Sequence, residues 1–319
     1  MTQRMLITGT AGFIFSNFLR IAVYQKAPYE IFSLDKIANS SMMNNIFQKK
    51  IAEFQIADIC DEHIMDRIFE YIEPEIIIHG AAESNVDKSI NNPNVFTKSN
   101  IVGTQNLINL AVKYKTKLFV YQSTDEVYGS LAEDESPWNE NSPMDPRNPY
   151  SASKAAGEML LKAAHNTYGL NYLIVRSCNN MGPRQDHSKL IPRVIKCIRE
   201  KKKIPIYGDG LQSRDWIHTH DNAQAILYLL DKKIKNDIFN ISANQEKKNI
   251  EVINAICDIM GEGKNLLEKV EDRAGHDRRY ALNADKIKAL GWNPVYKNFS
   301  DALKNTINWY QSNPYYLKD

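Results

Sequence analysis

The stretch "LITGTAGFIFSNF", Leu6 to Phe18, decides the fold. An apolar run, Met5 to Thr8, ends in a glycine turn, and a helical pattern follows from Phe13 to Tyr24. Such a helix aims its free N–H groups and positive dipole end at whatever lies above the turn, and a pyrophosphate suits that position. Gly9 and Gly12 stand where backbone must approach phosphate, but Phe15 takes the place of a third glycine. That glycine normally lets helix and strand pack closely. A phenylalanine there must push the helix away or turn its ring into a space between elements. Overpacking of this kind costs about 1–3 kcal/mol, which a large core tolerates. Altered helix packing and looser cofactor binding are expected, with the site retained.

The same theme repeats along the chain. "EIFSLD" ends at Asp35 and "FQIAD" at Asp58. "EIIIHGAA" (Glu75–Ala82), "KLFVYQST" (Lys117–Thr124) and "LNYLIVRS" (Leu170–Ser177) read as strands, the first apolar throughout as in a parallel sheet buried on both faces. Helical stretches such as Thr97–Lys113 and Tyr150–Tyr168 lie between them. Strand–helix alternation predicts an α/β fold with a Rossmann-type doubly wound parallel sheet, whose ligands sit at the carboxyl ends of the strands. After Met181-Gly182-Pro183 the elements shorten. Residues 1–180 are therefore read as a dinucleotide-binding domain that also carries the catalytic residues, and 181–319 as a smaller mixed α/β lobe for substrate, with some segments returning to the sheet.

Composition narrows the classes. The 319 residues are 43% hydrophobic and 24% charged, with net charge +2. The short basic runs are broken by acids and read as solvated helix ends, so no nucleic-acid partner is expected. No apolar run approaches the ~18 residues of a spanning helix, and no signal-peptide pattern opens the chain, so a cytoplasmic protein is expected. Cys60, Cys178, Cys197 and Cys257 are scattered and form no C-x-x-C pair, which fits a reducing compartment without structural zinc. "IHTHD" (Ile217–Asp221) puts two histidines on one side of any strand, but further ligands are lacking and no metal is expected.

Asp35 ends the second strand, where an acid accepts hydrogen bonds from a ribose diol and repels a 2′-phosphate. NAD is thereby favoured over NADP, a preference that Lys36 weakens slightly. An acid at this point also serves as a turn or cap residue. Tyr150 and Lys154 form Y-x-x-x-K, which places both side chains on one helix face. The ammonium would lower the phenol's pKa, and a phenolate can take a proton from a sugar hydroxyl as hydride leaves the same carbon. An ordinary amphipathic helix carries the same pattern. The companion "YQSTDEVYG" (Tyr121–Gly129) ends a strand in Ser123, Thr124, Asp125 and Glu126. Adjacent carboxyls there can differ in pKa and serve as acid and base, or they can simply cap the turn.

Together "TGTAGFIFSN", "AAESNVDKSI", "STDEVYGS", "YSASK", "RSCNNMGPRQ", "KLIPRVI", "YGDGLQSRDWIH" and "RAGHDRRYALNADK" run in order over nearly the whole chain. They resemble the nucleotide-sugar 4,6-dehydratases of the extended short-chain dehydrogenase/reductase superfamily, whose donors are dTDP-glucose or UDP-glucose. The Thr-Asp-Glu triplet is the specific part, since the related epimerases carry other residues there. The resemblance implies NAD as cofactor and a role for each site residue. Tyr150 would deprotonate the C4 hydroxyl of the glucose, Thr124 would bond the C4 oxygen, and Lys154 would hold Tyr150 ionised. Glu126 would remove the C5 proton and Asp125 would protonate the departing C6 hydroxyl. Beside Gly9, Gly12, Asp35 and Lys36, cofactor contacts carry over onto Phe13, Ile14, Ala81, Ala82, Asn100 and Ser123. Asp58 and Ile59 would lie by the adenine and Asn179 by the nicotinamide. Sugar and diphosphate contacts carry over onto Ser84, Asn180, Lys189, Arg214, Asn240, Arg273 and His276. A homodimer through a four-helix bundle is implied, the apolar stripes in Val95–Val112 and Ala155–Tyr168 supplying its faces. Besides Phe15, the departures are Asn85 for a histidine and Met181 for a tyrosine. An epimerase of the same superfamily, or a non-catalytic nucleotide-sugar or NAD binder, are the rival readings.

Overall fold

The computed structural model describes residues 2–37, 40–46, 52–272 and 277–318. Its centre is a sheet of strands β1 (Gln3–Thr8), β2 (Tyr29–Asp35), β3 (Ala52–Ile56), β4 (Ile76–His79), β5 (Leu118–Thr124), β6 (Tyr172–Ser177) and a last strand, Asp237–Ile241. Every pairing is parallel. The spatial order is Asp237–Ile241, β6, β5, β4, β1, β2, β3. Strand order reverses between β1 and β4, and in such sheets ligands bind in the crevice outside that reversal.

Alternate side chains feed two cores. Met5, Ile7, Ile76 and Ile78 face helix α1 (Phe13–Tyr24) and the helix Thr219–Asp231. Leu6 and Ile77 face the opposite layer, which includes Phe69 of α2 (Glu62–Ile72) and Leu107 of the helix Gly103–Lys113. Cover on both faces explains why β4 and β5 are buried at every residue. A third core, around Ile191, Ile195, Trp216, Ile253 and Leu303, belongs to the later elements. Met181 is buried there, so the residue in place of a tyrosine is a packing residue. Asn85 caps the helix Val86–Asn91 by accepting from the Lys88 N–H at 3.0 Å.

Phe15 takes the second of the two routes expected for it, its ring turned into a space between elements; it is 3% exposed and lies 5.7 Å from the Phe18 ring, centroid to centroid. A Cβ added at Gly80, just after β4, would fall 2.0 Å from Phe15 Cδ2. The glycine that permits close packing is thus on the facing strand end instead of on the helix. The histidine pair differs from expectation. His218 ends a short strand and caps the helix Thr219–Asp231, accepting from the His220 N–H at 3.1 Å, so the two do not share a strand face.

Candidate active site

The ends of β1, β2, β4 and β5 converge on one cavity of about 490 Å³. At one end Gly9 has φ +81°, and a Cβ there would come within 2.7 Å of the Ala81 nitrogen. Only glycine allows this turn and this approach. Gly12 precedes α1, whose N-terminus has no side-chain cap and no acid in its first turn. Its unpaired N–H groups leave an anion site at the cavity wall, beside Phe13 and Ile14. Asp35 is held by the N–H groups of Ala11 (3.0 Å) and Ile37 (2.9 Å), and burial pushes its pKa up. Each carboxylate oxygen retains a second lone pair for a ribose hydroxyl. Lys36 is paired with Glu83 at 3.0 Å across the strand reversal. Asp58, Ile59, Ala81 and Ala82 line the same end. A glycine cradle, an uncapped helix start and an acid at the end of the second strand fit NAD.

At the other end Ser123, Thr124, Asp125 and Glu126 meet Tyr150 and Lys154 of the helix Pro149–Tyr168. Thr124 Oγ1 donates to Asp125 Oδ1 at 3.1 Å and accepts from the Glu126 N–H at 3.3 Å. Asp125 is 2% exposed, and its other oxygen is buried with no partner among the described residues. Burial, then the charge of Glu126, raises its pKa to about 8, so it is protonated at neutral pH. Glu126 is also raised by burial, against the hydrogen bond from Asn148 and the charge of Arg214. Lys154 is lowered to about 7 by burial, which Glu158 partly opposes. Its ammonium lies 4.0 Å from the Tyr121 ring centre. Tyr150 is pushed upward, by burial first and then by Glu126 and Asp125. The ionised tyrosine expected from Y-x-x-x-K is therefore not the state of the ligand-free site: burial, and then the two carboxyls, outweigh the hydrogen bond with Thr124.

The floor of the site is a buried polar chain. Ser123 donates to Glu158 at 2.6 Å, and Glu158 pairs with Arg176 at 2.6 Å. Arg176 donates to the Tyr128 hydroxyl at 2.7 Å, which donates to Asn240 Oδ1 at 2.8 Å. Asn240 spends its amide on the Trp138 and Asn283 carbonyls. It is buried away from the cavity, which corrects its expected place beside substrate.

Ser84, Asn179, Asn180 and Lys189 line the cavity as expected. Asn180 keeps a buried oxygen with no partner among the described residues. Two further residues are not on the wall. Asn100, in the π turn Thr97–Val102, bonds the backbone of Glu83 and the Ser153 hydroxyl, and so braces the cavity from behind. Arg214 donates to the carbonyls of Ser213 and Asp277 and stacks on Tyr280, reaching the acids through its charge alone. Arg273 and His276 lie outside the described residues. Sequence reasoning assigned no role to Asn148, Arg184 or Tyr316. The last two line the cavity; Arg184 lies within the quoted "RSCNNMGPRQ" without a role of its own, and no local pattern marks Tyr316.

Residues 5–242 match the NAD dependent epimerase/dehydratase family. The chain belongs to that family. It is 39% identical to the dTDP-glucose 4,6-dehydratase of Haemophilus influenzae, over 98% of each chain. Among solved structures it is similar to the dTDP-glucose 4,6-dehydratase DesIV of Streptomyces venezuelae with NAD and TYD bound, with TM-score 0.92, 37% identity, and 99% of each chain covered. The UDP-glucose 4-epimerase of Thermotoga maritima, with UDP-glucose, gives TM-score 0.91 at 29% identity, covering 98% of this chain and 100% of its own.

Proposed function

We propose that this chain is an NAD-dependent nucleotide-sugar 4,6-dehydratase that converts dTDP-glucose to the 4-keto-6-deoxyglucose nucleotide and water. The observation that carries this reading is the Thr124–Asp125–Glu126 run facing Tyr150 and Lys154 in one cavity with the glycine turn. An epimerase at C4 needs no acid at C6, so a buried carboxyl protonated at neutral pH favours the dehydratase. The identity to relatives named for dTDP-glucose supports the donor.

Gly9, the α1 N-terminus and Asp35 would hold NAD, with Asp58, Ile59 and Asn179 along its length. When bound, NAD accepts the C4 hydride and later returns it to C6. Tyr150, after losing its own proton to solvent as the site loads, takes the C4 hydroxyl proton, while Thr124 donates to the C4 oxygen. The C4 ketone acidifies the C5 proton, which Glu126 removes. Asp125 gives its proton to the C6 hydroxyl, which leaves as water across the new C5–C6 double bond. Glu126 then returns its proton to C5. Lys154 stabilises the Tyr150 phenolate while the proton is away. Asn180 and Lys189 take sugar hydroxyls and diphosphate.

The functional division proposed is the one read from the sequence, 1–180 for NAD and catalysis and 181–319 mainly for the nucleotide sugar. We also propose a homodimer. Val95, Val102 and Met159 are 40%, 49% and 44% exposed on the helical segments Pro93–Phe96, Thr97–Val102 and Pro149–Tyr168. Apolar side chains on these segments suit a helical interface between copies. Free cysteines support a reducing, cytoplasmic setting, and no described helix is long and apolar enough to cross a membrane.

The test is incubation with dTDP-glucose and, separately, UDP-glucose, with and without added NAD, followed by mass spectrometry. Loss of one water from dTDP-glucose is expected. Conversion of UDP-glucose alone would reassign the donor, and C4 inversion without water loss would leave an epimerase.

A further inference from the structure

We propose that Asn148 is a positioning residue that fixes the Glu126 carboxylate to the start of the helix bearing Tyr150 and Lys154. The assignment rests on the dehydratase reading for its chemistry and on geometry for the contact. Asn148 uses its two side-chain ends for different tasks. Its oxygen accepts from the Ser151 N–H at 2.9 Å, and its own N–H donates to Ser151 Oγ at 3.2 Å, a reciprocal cap. Its amide nitrogen donates to Glu126 Oε2 at 3.3 Å. Pro149 follows, which sets the backbone for the first helical turn.

Among the described residues this is the one hydrogen bond that the Glu126 side chain makes. Tyr150 is two residues further along the same chain. One side chain therefore sets the distance between the group that acts at C4 and the group that acts at C5. An amide donor stabilises the carboxylate over the acid, which is the form a base needs. The other charged or titratable groups acting on Glu126 are Asp125 beside it, Tyr150 on the helix, Arg214 and Lys189 from the later segments, and Asp277 and Tyr280 opposite. Asn148 stands apart from these groups, as an amide that donates directly to Glu126. An amide rather than a hydroxyl is what the position requires, since a shorter side chain could cap the helix equally well.

The experiment uses Asn148→Asp, which keeps a capping oxygen but removes the donor, and Asn148→Ser, which keeps the cap and loses the reach. In deuterated water with dTDP-glucose, NADH formation reads the C4 step and deuterium entry at C5 reads the Glu126 step. For Asn148→Asp the acid limb of the C5 step should move up by about one to two pH units or more, the joint effect of a lost hydrogen bond and of a second carboxylate set beside Glu126. C5 exchange at neutral pH should fall by about ten-fold or more, with NADH formation within about two-fold and the melting temperature nearly unchanged. Asn148→Ser should lose C5 exchange in the same sense. Independently of turnover, the Glu126 carboxyl can be titrated by carbon-13 NMR, its signal identified by loss in Glu126→Gln. A higher pKa in Asn148→Ser, which removes the donor without adding a charge, supports the assignment whatever the substrate proves to be. An unchanged titration and an unchanged acid limb would overturn it and leave Asn148 a helix cap. Failure of the wild-type protein to release water would instead count against the dehydratase reading.

Discussion

Substituting Gly80 by alanine tests the packing that lets Phe15 stand in place of a glycine. The new Cβ would lie 2.0, 2.1 and 2.8 Å from Phe15 Cδ2, Cε2 and Cγ. Carbon atoms settle at about 3.5–4.0 Å, so the ring must retreat by roughly 1.5 Å within a filled core. Overpacking costs about 1–3 kcal/mol, occasionally more, and three simultaneous clashes place this case near 3 kcal/mol. Gly80 does not have a left-handed φ, so alanine brings no backbone strain that could mask the effect. The same change made in Phe15→Ala meets no ring and should cost close to nothing. Phe15→Ala alone should cost about 3–5 kcal/mol, the usual loss for a buried phenylalanine. Urea denaturation of wild type, both single variants and the double variant gives the coupling energy, expected near 3 kcal/mol and of compensating sign. An equal cost for Gly80→Ala in both backgrounds would show that the ring does not occupy that space. Phe15→Gly should likewise lower stability, because it empties a core position.

Glu126→Gln should abolish deuterium entry at C5 while NADH still forms on mixing with substrate; full turnover in that variant would remove Glu126 as base. Tyr150→Phe should bind substrate but form no NADH in stopped-flow absorbance, and a wild-type burst would contradict its role. Asp125 must be protonated to act as acid, so the dehydration rate should fall as pH rises through about 8, and a flat profile there would count against it. Stability moves in the same window. The folded-state pKa of Asp125 is raised, so its contribution is fully present below the unfolded value near ~4 and is lost as pH rises to about 8. Asp125→Asn should therefore gain on wild type across that interval and no further above it, as read from urea midpoints.

The parts of this protein legible in its sequence are those set by neighbours in the chain. Gly9, Gly12 and the strand behind them form one turn, so their spacing reveals the fold. Thr124, Asp125 and Glu126 are consecutive, and Tyr150 and Lys154 share a helix face, so both groups announce themselves. Which side chains meet across the fold did not show. Gly80 opposite Phe15, and Asn148 opposite Glu126, are contacts between segments whose separation carries no periodic signal. Asn240 and Arg214 failed in the opposite sense. Their residue types suit a sugar or a diphosphate, but the Tyr128 hydroxyl and the Asp277 carbonyl claim them first. The protonation of the site was also hidden, because burial reverses what the local motif suggests for Tyr150.

The last strand of the sheet has a consequence during synthesis. Asp237–Ile241 pairs with β6, which ends at Ser177, so about 60 residues must emerge before β6 gains its outer neighbour. At about 5–20 residues per second, the nascent chain carries an open, apolar strand edge for about 3–12 s. Exposed edges of this kind recruit other chains. The arriving strand also delivers Asn240 to the Tyr128 hydroxyl. Closure of the sheet edge and completion of the hydrogen-bond chain beneath the catalytic residues are thus one event, and a ribosome-bound chain cut short of residue 237 would have neither.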